Sequence, residues 1–237
     1  LQQLDDDELP LPGEDSEGRT EDAPRFRFVQ AASLEFSPPR FVVRGFIEAD
    51  SLALFFGDPA SGKSFAALDL ACSIATGNEW HGAKVDQGPV VYVAGEGQNG
   101  LRRRMAAWEI ARGQPLADAP LFVSTAPAAL CDVQNAAEVA GAVDEVADSY
   151  GSPKLAVIDT LARNFGPGDE NATRDMSAFI QAADMIRARH GCAVLIVHHA
   201  GHGDKSRARG AIALKGALDA EFRIEKDESG TVRLEGS

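Results

Sequence analysis

Gly57-Asp58-Pro59-Ala60-Ser61-Gly62-Lys63-Ser64 matches G-x-x-x-x-G-K-[ST] in full, and the reading of the chain starts there. Leu52 to Phe56, directly before it, is short and apolar and predicts a strand. Phe65 to Ala75, directly after it, predicts a helix, with Leu68, Ala71, Cys72 and Ala75 at helical spacing and Gly77 as the stop. In that setting consecutive backbone N–H groups and the positive helix end face β- and γ-phosphates. The Lys63 ammonium is expected to neutralise them and the Ser64 hydroxyl to bind Mg²⁺. A glycine turn matching by chance is the competing explanation, and both flanks argue against it. The stretch predicts a nucleoside triphosphate site.

Further along, apolar strands and amphipathic helices alternate. Pro89 to Ala94 reads as a strand ending in Gly95-Glu96-Gly97, and Asn99 to Arg112 as a helix with Leu101, Met105 and Trp108 on one face. Leu121 to Ser124 is a third strand. Asn135, with Glu138 three residues on, is expected to open a helix striped by Val139, Val143, Val146 and Tyr150. Leu155 to Ile158 is a strand ending in Asp159-Thr160, and a polar loop is expected over Arg163 to Ala172. Thr173 is expected to cap a long helix closed by Gly191. Cys192 to Val197 is a strand ending in His198-His199, and Ala220 to Glu225 with Thr231 to Glu235 read as a hairpin. The alternation predicts an α/β fold of three layers around a mostly parallel sheet, with a C-terminal β-hairpin.

Ligands of open parallel sheets lie at the carboxyl ends of the strands. Four predicted strands finish there on chemistry: the phosphate loop, Glu96, Asp159 and His198-His199. Asp159, after four apolar residues, has the pattern of a carboxylate that orders a Mg²⁺ shell, although any buried strand can leave into a turn this way. Hydrolysis also needs a group that polarises water. The residue after Asp159 is Thr160, so Glu96 is the remaining candidate, against a merely solvated loop carboxylate. The histidines admit three readings: a metal site, satisfied structural imidazoles, or sensing of the γ-phosphate. Lys205, Arg207 and Arg209 follow, and read as a solvated basic loop, an arginine finger or phosphate contacts to nucleic acid.

Composition bounds these readings. At 237 residues the chain accommodates one α/β domain, and no apolar run reaches a membrane span, so a cytoplasmic protein without membrane contact is expected. Three cysteines, Cys72, Cys131 and Cys192, fall in apolar periodic stretches and read as core. The net charge of −13 is uneven: residues 1–22 carry nine carboxylates against Arg19, a net of −8. Residues 1–23 are therefore expected to be a disordered acidic tail, either a solvated leader or a partner-binding segment. Residues 24–50 are expected to lead in and pack on the core, and 51–237 to form the ATPase domain, with the C-terminus read as truncated.

Taken in order, the phosphate loop, Glu96, Asp159-Thr160-Leu161, Asp169-Glu170-Asn171, Val197-His198-His199 and Arg207-Ala208-Arg209-Gly210 resemble the RepA-type hexameric helicases, within the RecA and DnaB-like (AAA_25-like) ATPases. The resemblance spans roughly residues 40–226. It implies a RecA-like core with ATP and Mg²⁺ between subunits of a homo-oligomeric ring, a hexamer being favoured. It further implies Glu96 as catalytic glutamate, His199 as sensor and an arginine finger from Arg207 or Arg209. Single-stranded DNA is the expected partner, and a DNA helicase for a plasmid, phage or mobile element the expected function. The rivals are a KaiC-like switch or loader working through a protein partner in replication, and a small-molecule kinase. The kinase reading leaves Glu96 and the histidines idle.

Overall fold

The computed structural model describes residues 28–34, 36–95, 97–201 and 212–236. The acidic tail at 1–23, Glu96, Lys205, Arg207 and Arg209 lie outside the described residues. The chain divides into two compact units, Leu1–Pro38 and Pro39–Ser237. Among its described residues the first holds one 3-10 turn, Ala31–Ser33, where the Ser33 hydroxyl donates to the Gln30 carbonyl at 2.7 Å.

The second unit opens with β1 (Phe41–Val43) and β2 (Ile47–Glu48), an antiparallel pair. This compact unit begins at Pro39, and Val42, Val43 and Ile47 of the pair are buried in the shared core. Then follow β3 (Leu52–Gly57), α1 (Lys63–Thr76), β4 (Val90–Ala94), α2 (Gln98–Arg112), β5 (Leu121–Val123), α3 (Val133–Tyr150) and β6 (Leu155–Asp159). The rest is α4 (Leu161–Asn164), α5 (Thr173–His190), β7 (Ala193–His199), α6 (Ile212–Ala217), β8 (Ala220–Lys226) and β9 (Val232–Gly236).

Seven strands form one sheet in the order β5-β4-β6-β7-β3-β8-β9, parallel throughout except for the hairpin β8–β9. Near-continuous apolar strands such as Leu52–Phe56 and Ala193–Val197 are what a sheet buried on both faces requires. Alternate residues feed opposite cores. Ala53, Phe55, Tyr92, Val157 and Leu195 pack with Leu68, Leu70 and Cys72 of α1 and Leu101 and Trp108 of α2. Leu54, Phe56, Ile158 and Ile196 pack with Val143 of α3 and Phe179, Ala183 and Ile186 of α5. This is the predicted three-layer α/β architecture with its C-terminal hairpin. Cys72 and Cys192 are buried, and burial pushes both thiols up to about 12. Among the described residues no helix is long and apolar enough to cross a membrane.

Three local expectations are corrected. The expected loop after β6 begins as α4, whose Leu161 and Asn164 are buried; four residues are too few to show a helical period. The cap of α3 is Asp132, which accepts from the Asn135 backbone N–H at 2.9 Å, so Asn135 lies inside the first turn. Thr173 is the first residue of α5 and not its cap; the cap position is Ala172, without a side-chain hydrogen bond.

Candidate active site

The carboxyl ends of β3, β4, β6 and β7 meet at one sheet edge. Gly57 stands beside His199, Asp159 beside Val197 on one side and beside Ala94 on the other. The phosphate loop leaves β3 at this edge. A Cβ at Gly57 would lie 2.2 Å from the Ile224 carbonyl oxygen of β8, so no side chain fits there. Ala60 (φ 61°) and Gly62 (φ 97°) are left-handed, and such residues in a tight loop curl successive backbone N–H groups into a concave anion seat. Gly62 is the cap position of α1, whose N-terminus therefore faces the loop.

Lys63 is buried in that loop, and its Nζ donates to the carbonyls of Gly57 (3.0 Å) and Asp58 (2.6 Å). Desolvation draws the ammonium below its ordinary value, and the charges of Asp159 and Asp58 oppose the shift. Ser64, one residue on, donates its hydroxyl to Asp159 Oδ1 at 2.9 Å. These two groups come from α1 and from β6, two strands away from β3, so only the folded sheet brings them together. The other oxygen, Asp159 Oδ2, accepts the Tyr92 hydroxyl at 2.5 Å. Tyr92 is buried on β4, and burial, then the charge of Asp159 and the bond to it, push its phenol well above its ordinary value, so it remains a donor.

The histidines part company. Ala193, Leu195 and Val197 face the α1 core while Val194 and Ile196 face the α5 core, so alternation turns His199 toward α1 and His198 toward α5; on β6, where Leu155 and Val157 face α1, it turns Asp159 toward α1 as well. His198 is fully buried and His199 half-buried, their ring centroids 6.4 Å apart. Asn164 of α4 is also fully buried at this edge. It accepts from the Ala128 N–H at 2.9 Å and donates to the Thr160 carbonyl at 3.0 Å, tying the segment after β5 to the β6 exit. Arg163, beside it, is exposed. Glu96, Arg207 and Arg209 fall outside the described residues, so the structure places neither the expected catalytic glutamate nor the expected finger.

On the other side of the phosphate loop lies a cleft of about 480 Å³, walled by Asp58, Pro59, Ala60 and Ser61 and by hairpin residues including Arg223, Lys226 and Arg233. The donor set fits a nucleoside triphosphate with Mg²⁺. It comprises a curled anion seat, a buried ammonium, hard oxygens on Ser64 and Asp159, and an adjoining cleft of nucleoside size. Two contributors escape the sequence reading. Tyr92 looks like any core aromatic, and only its position two residues before the end of a strand hints at the site. The hairpin cations alternate with core residues on β8 or sit on the exposed strand β9, and carry no motif.

Among solved structures, the chain is similar to a KaiC-like protein from the hyperthermophilic archaeon Pyrococcus horikoshii. The TM-score is 0.54 at 15% identity, and the match covers 82% of each chain. At that identity the likeness speaks for the fold, which is RecA-like. A family model described as an AAA domain matches residues 18–205, well over half of the chain and inclusive of the phosphate loop, Asp159 and His199. The chain belongs to this AAA domain family of P-loop nucleoside triphosphatases.

Proposed function

We propose that this protein hydrolyses ATP with Mg²⁺ and, as a ring of identical subunits, spends the turnover on moving along single-stranded DNA as a helicase. The observation that carries the ATPase reading is the 2.9 Å bond from Ser64 to Asp159 beside the buried Lys63. Lys63 would exchange its loop carbonyls for phosphate oxygens, and Ser64 and Asp159 would hold the cation. Bound Mg²⁺ neutralises charge on the β- and γ-phosphate oxygens. Glu96 is assigned to orient a water and take its proton as the oxygen attacks the γ-phosphorus. The bond to the β-phosphate oxygen breaks, and ADP and inorganic phosphate leave. His199, turned to the same face as Asp159, is the assigned γ-phosphate sensor, and Arg207 or Arg209 the finger toward a neighbour's nucleotide.

The helicase reading draws on the ordered set of motifs, on Arg163 of α4 at the strand-end edge, and on Lys205 and Arg207, which follow β7 in the sequence. A few phosphate contacts per subunit bind weakly, and a ring multiplies them. The test is the ATPase rate with and without single-stranded DNA at low salt, beside a mass measurement with ATP and Mg²⁺. The expected result is a ring whose rate rises with DNA, and loses the rise in Lys205→Ala/Arg207→Ala. A ring whose rate ignores DNA favours the second reading, an ATP-driven switch acting through a protein partner. The likeness in fold to the KaiC-like protein supports that alternative.

A further inference from the structure

We infer that Tyr92 is a positioning residue for the cation site, holding Asp159 Oδ2 so that Oδ1 stays turned to Ser64. The inference rests on the proposed role of Ser64 and Asp159 in binding Mg²⁺. Three observations carry it. Tyr92 pairs with Val157 across β4 and β6, one diagonal step from Asp159 on the same face, which is within reach of a phenol but not of a shorter side chain. The residue directly opposite Asp159 is Ala94, too small to touch the carboxylate's far oxygen. The Tyr92 hydroxyl, on a side chain buried in the α1-side core, gives its only proton to Asp159 at 2.5 Å, within the short range of O–H···O⁻ bonds.

Phenylalanine would fill the same apolar space without burying a hydroxyl, so packing alone does not call for tyrosine. A carboxylate turns readily about its terminal torsion. Donors on both oxygens, Ser64 from α1 and Tyr92 from β4, stop that rotation. Groups that orient a metal ligand in this way control the affinity for the ion more than the fold around it.

The test uses the full chain with Tyr92→Phe and a fluorescent ADP, titrated first in excess EDTA and then against Mg²⁺. Binding in EDTA is expected to match the unaltered protein, while the Mg²⁺ concentration at half-maximal gain rises roughly tenfold or more. An unchanged Mg²⁺ midpoint overturns the inference, and so does an equal loss in both arms, the mark of a merely structural role. Asp159→Asn separates the two levels of the reading. If Asp159→Asn keeps the gain from Mg²⁺, the metal assignment fails and the inference with it. If it loses the gain while Tyr92→Phe behaves as unaltered protein, only the role of Tyr92 falls. Should Tyr92→Phe not fold, the chain's two tyrosines, Tyr92 and Tyr150, offer another readout. Tyr150→Phe protein carrying fluorotyrosine gives a single ¹⁹F resonance. That resonance is expected to shift when Mg²⁺ is added to the ADP complex, and a resonance that stays fixed overturns the inference.

Discussion

On one flank of residues 57–64, Lys63, Asp159 and Tyr92 are buried and bonded into neighbouring elements of the sheet. On the other, the cleft wall is an antiparallel hairpin whose charges pair with one another in solvent. Arg223 meets Glu225 at 2.6 Å, and Arg233 meets Asp227 at 3.5 Å with two thirds of its side chain exposed. The first flank is set by the core, since moving Asp159 means moving β6 between β4 and β7. The second hangs on the sheet's edge strand. The buried flank is held at positions that core packing fixes, whereas the hairpin flank of the cleft carries part-exposed and exposed charges that water screens. The lesson is that losses on the buried flank should be large and specific to phosphate chemistry, and losses on the hairpin small and confined to affinity.

The largest effect expected is on turnover. Glu96→Gln should retain nucleotide binding and lower the hydrolysis rate by about 10²- to 10³-fold, measured as phosphate release, because it keeps shape but removes the proton acceptor. A wild-type rate would sink the assignment of Glu96. Next is Lys63→Ala, expected to weaken binding of a fluorescent ATP analogue by about a hundredfold. A buried charge-assisted contact contributes about 2–3 kcal/mol, and each 1.4 kcal/mol is about tenfold. Should affinity hold in Lys63→Ala, the buried flank would not be where phosphate binds.

Asp69 probes how the buried flank is braced. Its carboxylate on α1 accepts from Trp80 Nε1 (3.0 Å), Trp108 Nε1 (2.8 Å) and Arg112 Nη2 (2.9 Å), joining the phosphate-loop helix to α2. Asp69→Ala leaves two largely buried indole N–H groups without this acceptor. It is expected to lower unfolding free energy by about 2–3 kcal/mol in a denaturant titration. A midpoint equal to the unaltered protein's would mean the network contributes nothing. The smallest effect belongs to the hairpin: Arg223→Ala or Arg233→Ala should raise the KM for ATP a few-fold and leave kcat alone, as loss of uniform binding does. If either variant instead lowers kcat as much as Glu96→Gln, the contrast between the two flanks collapses.

Some of this was legible before any fold was known. The phosphate loop is contiguous, so eight residues carry its chemistry together, and the strand and helix around it follow from apolar spacing alone. Asp159 was readable as a strand-end carboxylate for the same reason. Less visible were α4, too short for a period, and β2, two residues too few to alternate, held by pairing with β1 and by the burial of Ile47. At α3 both Asp132 and Asn135 are competent caps, and the choice depended on where the preceding segment, anchored by Leu130 and Asn164, delivers the chain.

By itself, then, the sequence determined the alternation of strands and helices, the phosphate loop and the presence of an acidic strand end. All of these are written in residues close together along the chain. Tertiary structure alone decided that β6 lies two places from β3, that Ser64 thereby meets Asp159, that His199 and not His198 faces α1, and that Tyr92 reaches across to the same carboxylate. Strand order and cross-strand diagonals join residues 67 to 95 positions apart, and local propensity holds no record of such pairings until burial on both faces of the sheet fixes which strands are neighbours.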